Sequence, residues 1–282
     1  MEFEFTIPLG DWIESGFGWL ESTFQAVFDF VSFAAESIYT GLEWILLTPP
    51  FWAILLALVA IGWLVKNWKF AIGTGVGLLL VYGVNMWDPM METLALVMLA
   101  SSLAILMSVP LGILAAKSEV ASVIFRPILD FLQTMPVFVY LLPAVAFFSV
   151  GVVPGIFATI VFAVAPGVRF TELAIRGVDK EVVEAGQAFG SSPWRILRQI
   201  QIPLGAPTIM AGINQVIMLS LSMVVIAGLV GAGGLGREVS LALGRVDTAL
   251  GMEAGISVVI LAIYLDRLTA TLGKSSTPAS TA

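Results

Sequence analysis

Seven apolar runs of roughly 17–25 residues recur along this chain, at about 50–66, 69–86, 94–116, 131–150, 155–171, 207–230 and 253–270. Each is as long as a helix must be to cross the ~30 Å hydrocarbon core of a bilayer. The runs predict an all-α, polytopic membrane protein of about seven spans. The charged fraction agrees, because 12% lies far below the ~25% of soluble domains. Pro136, Pro143, Pro154 and Pro166 interrupt the fourth and fifth runs. Such prolines are tolerated where neighbouring helices re-satisfy the freed carbonyls, and broken spans often line a cavity.

Basic residues orient the runs. If the polar segment between the fifth and sixth runs is cytoplasmic, eleven of the 13 Lys and Arg fall inside, leaving only Arg237 and Arg245 outside. The N-terminus is then expected outside, the C-terminus inside, and the chain in the plasma membrane. Residues 1–48 carry acids (Glu2, Glu4, Asp11, Glu14, Glu21, Asp29, Glu36, Glu43) and no Lys or Arg. Phe17, Leu20, Phe24, Val27, Val31, Ala34 and Ile38 recur at helical spacing and predict an amphipathic helix, lying in the outer membrane interface or packed on the bundle.

The same inventory excludes several functions. The chain has no cysteine and no histidine, which removes thiol chemistry, the usual metal ligand and the usual neutral-pH base. No catalytic or metal-binding set is expected. A net charge of −7 argues against a nucleic-acid partner. Gly231-Ala-Gly-Gly-Leu-Gly236 matches a dinucleotide fingerprint, but a membrane-length apolar run precedes it, so it reads as a helix end that turns or packs closely. Gly273-Lys274-Ser275 resembles the end of a phosphate-binding loop, but Leu268 stands where its first glycine belongs. ATP is therefore not bound by this chain.

The longest polar interruption is Glu184–Pro203. Asp179 is placed to cap a short helix, Gly190 to end it, and Ser192-Pro193 to open a second. Trp194, Leu197 and Ile200 give the second helix an apolar face, and Pro203 is expected to end it. Within the spans, Asn214, Gln215 and Ser222, with Gln133 and Thr134 at the start of the fourth run, are candidates to edge a translocation path. Gln215 and Ser222, seven apart, differ by only about 20° around a helix. Hydrogen bonding between helices explains the same residues. Asp130 and Asp266 lie near span ends, within reach of neighbours such as Arg126 and Arg267. No charge sits deep in a run, so the path is expected to be uncharged and to suit a net-neutral or cationic solute.

The Glu184–Pro203 stretch resembles the EAA loop of ABC importer permeases. Glu184, Ala185, Gly190, Ile200 and Pro203 fall at the family spacing, with Gly186 for the second alanine and Ile202 for the leucine. Further segments resemble the glycine betaine/proline betaine permeases of osmoprotectant importers, among them Gln133-Thr134-Met135-Pro136, Ser222-Met223-Val224-Val225 and Gly231–Gly236. The resemblance implies a type I ABC importer permease fold. It implies that Glu184, Ala185, Gly186, Gly190, Ile200 and Pro203 couple to separate ATPase subunits, which bind the ATP and Mg. It also implies a second permease copy and an external betaine-type binding protein. The expected organisation is an acidic region at 1–48, two accessory spans at 49–86, a permease core at 87–272 with coupling helices at 179–203, and a disordered tail at 273–282. Choline, carnitine or an amino acid as the solute, or an ATP-independent carrier, stay open on the residues alone.

Overall fold

The computed structural model describes residues 8–274, with side chains through residue 271, so the last eight residues of the expected tail lie outside the described residues, as do Glu2 and Glu4. Every regular element described is helical. In chain order they are α1 (Leu9–Leu47), α2 (Phe51–Val65), α3 (Trp68–Gly83), α4 (Trp87–Lys117), α5 (Glu119–Thr134), α6 (Val137–Phe148), α7 (Val152–Arg176), α8 (Lys180–Ala188), α9 (Pro193–Ile196), α10 (Ile202–Leu229), α11 (Gly234–Arg245) and α12 (Thr248–Lys274).

Helices α4, α7 and α10 form the centre. In the bilayer no hydrophobic force drives helices together, so close approach depends on small residues. A Cβ at Gly205 would lie 2.9 Å from the Ala174 carbonyl oxygen, and one at Gly155 would lie 2.7 Å from Ala227 Cβ. Helices α11 and α12 close one side. Met90, Met91, Val97, Val224 and Leu235, almost wholly buried, fill the core toward one end of the bundle.

Among the described residues five helices, α1 among them, are long and apolar enough to cross a membrane, or six if the α5–α6 pair is one span, so at most five of the seven expected runs qualify. The expected seven is thus not met by length, because α2 and α3, at 15 and 16 residues, fall short of the ~20 that a straight crossing needs. The fourth run is not straight either, since α5 and α6 meet at 95°. Proline forces its preceding residue out of the helical region, and Met135, before Pro136, is extended at φ −68°, ψ 135°. The other expected interruptions are absent. Pro154 sits in the first turn of α7, where no amide hydrogen is needed, and α7 continues through Pro166.

Helix α1 packs against helix ends at one end of the bundle. Phe17 and Phe28 meet Phe147, at the end of α6, while Tyr39 is buried with Trp87 and Met90, at the start of α4. Those helix ends share the side where the Gly151 amide donates to the Val230 carbonyl. The predicted apolar stripe is only partly the packing face. Phe17, Leu20 and Ala34 are half-buried, but Phe24, Val27, Val31 and Ile38 are exposed, and the helix rests instead on Phe28, Ala35, Tyr39, Leu42 and Leu46.

The glycine-rich run resolves as a turn plus a close packing. Gly231 and Gly234 take φ +91° and +78°, and a Cβ at Gly236 would overlap the Val224 carbonyl of α10.

Candidate coupling site and translocation face

The polar hairpin projects from the end opposite α1. Asp179 accepts from the Glu181 amide at 2.9 Å, so α8 is capped as its sequence predicts. Gly190 takes φ +74°, and its amide donates to the Gln187 carbonyl at 2.8 Å while the Ser191 amide reaches the Gly186 carbonyl at 3.1 Å. That pair of bonds is the glycine stop that satisfies the last carbonyls of a helix. Ser192 accepts from the Arg195 amide at 3.4 Å and opens α9 at Pro193.

Pro203 does not end this second arm. Leu197–Gln201 winds as a wider π turn, and α10 runs on from Ile202 through Pro203. A π turn accommodates a residue that has no amide hydrogen and whose ring crowds the preceding turn. The arm is therefore continuous with the central helix α10. Gly186 also has a part that sequence reasoning missed. A Cβ there would lie 2.8 Å from Ile200 Cδ1, so glycine lets α8 seat on the π turn. Ile196 and Leu197, not Trp194, are the buried residues of the second arm.

The hairpin is lightly supported. A cavity of about 250 Å³ lies beneath it, lined by Glu184 with Arg176, Lys180, Gln187 and Gln201, and a second of about 470 Å³ opens beside Asp179, Val182 and Gly205. Its outer surface is apolar at the tip, where Phe189 is 91% and Trp194 67% exposed. Glu184, Ala185, Gly190 and Pro203 are exposed, and Ile200 and Gly186 half-buried.

Polar ties fix the base. Lys117 donates to Gln201, whose amide reaches the Ile175 carbonyl at 3.4 Å, joining α4, α7 and the π turn. Glu172, buried near the end of α7, accepts from Ser122 at 2.7 Å and pairs with Arg176 at 3.0 Å and Arg126 at 3.6 Å. Arg176 also reaches Glu119 at 2.6 Å. Asp130 pairs with Arg169, not Arg126, because α5 lies along α7. The i,i+4 spacing of Glu172 and Arg176 was the available sequence signal. At the far end Glu92 accepts from the Gly234 amide and Thr93 from the Leu235 amide at 2.8 Å, which pins α11 to α4.

The five path candidates are not brought together. Asn214 donates to Asp266 at 3.2 Å and accepts from Thr269, so it ties α10 to α12. Asp266 lies 3.8 Å from Arg267, as its position suggested. Gln215 and Ser222 face away from that seam and, with Leu204, Ala211 and Leu229, form one exposed stripe along α10. Gln133 and Thr134 sit at the α5–α6 bend, with Gln133 half-buried and Thr134 exposed.

A bundle of membrane-length helices with a polar hairpin grown out of its central helix has the build of a membrane transport subunit. The chain belongs to the family of binding-protein-dependent transport system inner membrane components, whose model matches residues 108–274. It is 47% identical to the glycine betaine/carnitine transport permease protein GbuB of Listeria monocytogenes, over 96% of this chain and 97% of that one. It is 46% identical to the glycine betaine transport system permease protein OpuAB of Bacillus subtilis, over 93% of each. It is 42% identical to the glycine betaine/proline betaine transport system permease protein ProW of Escherichia coli, over 96% of this chain and 76% of that one. Chains of the inward-facing MetNI methionine ABC transporter share the fold, at 20% identity with TM-scores of 0.60 and 0.62, covering 66% and 68% of this chain and 93% and 96% of theirs. The chain is thus a type I ABC importer permease in fold and a transport subunit rather than an enzyme.

Proposed function

We propose that this chain forms the membrane path of an ATP-driven importer of glycine betaine and similar compact methylated ammonium solutes. The observation that carries the solute class is that three relatives at 42–47% identity, each matched over at least 93% of this chain, all bear glycine betaine in their names. The chain's own features support it. No unpaired charge lines the exposed stripe of α10, and a net-neutral or cationic solute needs none.

In this reading ATPase subunits grip the hairpin at Glu184, Ala185, Gly186, Gly190, Ile200 and Pro203, with Phe189 and Trp194 as the apolar anchors. The ATPases bind ATP and Mg, and their closure draws the hairpins of two permease copies together. The motion passes through the π turn into α10 and, by way of α11, to the far end of α4. The exposed α10 stripe with Gln215 and Ser222, and the bend at Gln133 and Thr134, face the path between the copies. Asn214 is assigned instead to holding α10 on α12. A betaine-type binding protein delivers solute at the α1 end. The hairpin lies in the cytoplasm, the N-terminus outside and the C-terminus inside, in accord with the positive-inside distribution. Residues 1–48, 49–86 and 87–272 serve as outer flank, accessory hairpin and core.

The test is reconstitution of the chain with its ATPase and binding protein in liposomes, followed by uptake of labelled glycine betaine, choline, carnitine and methionine. ATP-dependent uptake of glycine betaine, competed by methylated ammonium solutes but not by methionine, is expected. Uptake without an ATPase, or preference for methionine, refutes the reading.

A further inference from the structure

The accessory helices hold a feature that transport does not use. Between α3 and α12 runs a slot of about 210 Å³, and its walls include Phe70, Gly73, Thr74, Gly77, Ile260 and Tyr264. It exists because α3 lacks a side chain at Gly73, where an added Cβ would meet nothing within 4 Å. The far end is closed where a Cβ at Gly77 would lie 3.0 Å from Ile260. The near end lies between the parallel rings of Phe70 and Tyr264, 6.1 Å apart. From Phe70 to Gly77 the slot is about 10 Å long, at ~1.5 Å of helix rise per residue. Its rim is apolar and exposed at Ile72, Val76, Val259 and Ile263, as a surface facing lipid is.

Its mouth is different. Four exposed residues gather at the α2–α3 turn, Trp63, Lys66, Trp68 and Lys69, the aromatic and basic pattern of a membrane–water boundary. Lys66 Nζ sits 5.0 Å from the centre of the Phe70 ring, directly at the slot. Neither lysine has a carboxylate partner among the described residues. Thr74 contributes to the slot wall with its hydroxyl buried toward Gly62 of α2, not open to the slot.

We propose that this slot binds one anionic phospholipid. The upper part of one acyl chain lies between α3 and α12, and the headgroup phosphate sits between Lys66 and Lys69. The site anchors the accessory hairpin to the core helix α12.

The test is native mass spectrometry of the purified chain after incubation with an equimolar mixture of phosphatidylglycerol and phosphatidylcholine. The wild-type chain is expected to retain one phosphatidylglycerol. Lys66→Gln and Lys69→Gln should each lower the preference about fivefold, which corresponds to the ~1 kcal/mol per basic residue near an anionic surface. Gly73→Leu, which fills the trough and favours helix, should abolish retention. Equal retention of the two lipids by the wild type, or undiminished retention in Gly73→Leu, overturns the proposal. So does a disulfide between two copies of Gly73→Cys, which would put protein where lipid is expected. If Gly73→Leu fails to insert, the lysine variants decide the matter alone, and none of these readouts depends on the transported solute.

Discussion

Replacing Gly190 by alanine isolates one bond pattern at the tip of the coupling hairpin. Gly190 holds φ +74°, and a Cβ there would meet nothing within 4 Å, so the substitution adds backbone strain and no clash. Left-handed backbone costs a non-glycine residue roughly 1–2 kcal/mol. The reduced freedom of the unfolded chain returns about 0.4–1 kcal/mol. The net is on the order of 1 kcal/mol, so the helix stop should open about fivefold more often. The bonds that report it are those from the Gly190 amide to Gln187 and from the Ser191 amide to Gly186. Hydrogen exchange across residues 186–192 in liposomes should therefore quicken about fivefold in Gly190→Ala. Gly190→Asn should be milder, because asparagine enters this region more readily than alanine. In the reconstituted complex Gly190→Ala should keep ATP hydrolysis while lowering solute moved per ATP. Unchanged exchange in Gly190→Ala would refute the backbone argument. Faster exchange with full coupling would refute the assignment of the hairpin to coupling.

Phe189→Ala or Trp194→Ala should weaken ATPase binding by about 1–3 kcal/mol, as loss of an aromatic anchor does, while the permease unfolds at an unchanged temperature, since both side chains are exposed. Pull-down and thermal unfolding would show it. Glu172→Ala should destabilise the α5–α7 contact by about 1–2 kcal/mol, because Ser122 and Arg126 of α5 lose their acceptor while Arg176 keeps Glu119, and protease nicking near residues 118–135 should rise. Gly186→Ala should be tolerated with little loss of coupling, since the atom it meets is the flexible end of Ile200. Gly236→Ala should abolish insertion as a stable protein, since it meets backbone of α10, and size-exclusion profiles would record it.

The bilayer crossings were legible because hydrocarbon leaves a helix no choice: a run of apolar residues long enough to span must hydrogen-bond to itself. The hairpin was legible for a local reason. Asp179, Gly190, Ser192 and Pro193 act on backbone atoms within four residues, so their order in the chain is enough to place a stop and a start. Local rules misjudged Pro203 and Pro166, because neighbouring turns can widen or re-bond around a proline, and only packing says whether they do. They misjudged Trp194 for the same kind of reason. Which side of α9 is inward depends on how α8 seats on it, where Gly186 lies against Ile200, fourteen residues apart.

Sequence alone therefore determined that this chain is a helical membrane subunit and where a polar hairpin interrupts its apolar runs, since those follow from solvent and from short-range backbone chemistry. Tertiary structure alone decided that the hairpin is continuous with α10, that Asn214 ties α10 to α12 while Gln215 faces outward, and that Glu92 and Glu172 lock opposite ends of the bundle. Those facts rest on contacts between residues tens to more than a hundred positions apart, such as Glu92 with Gly234, and no local pattern carries the rotation of one helix against another.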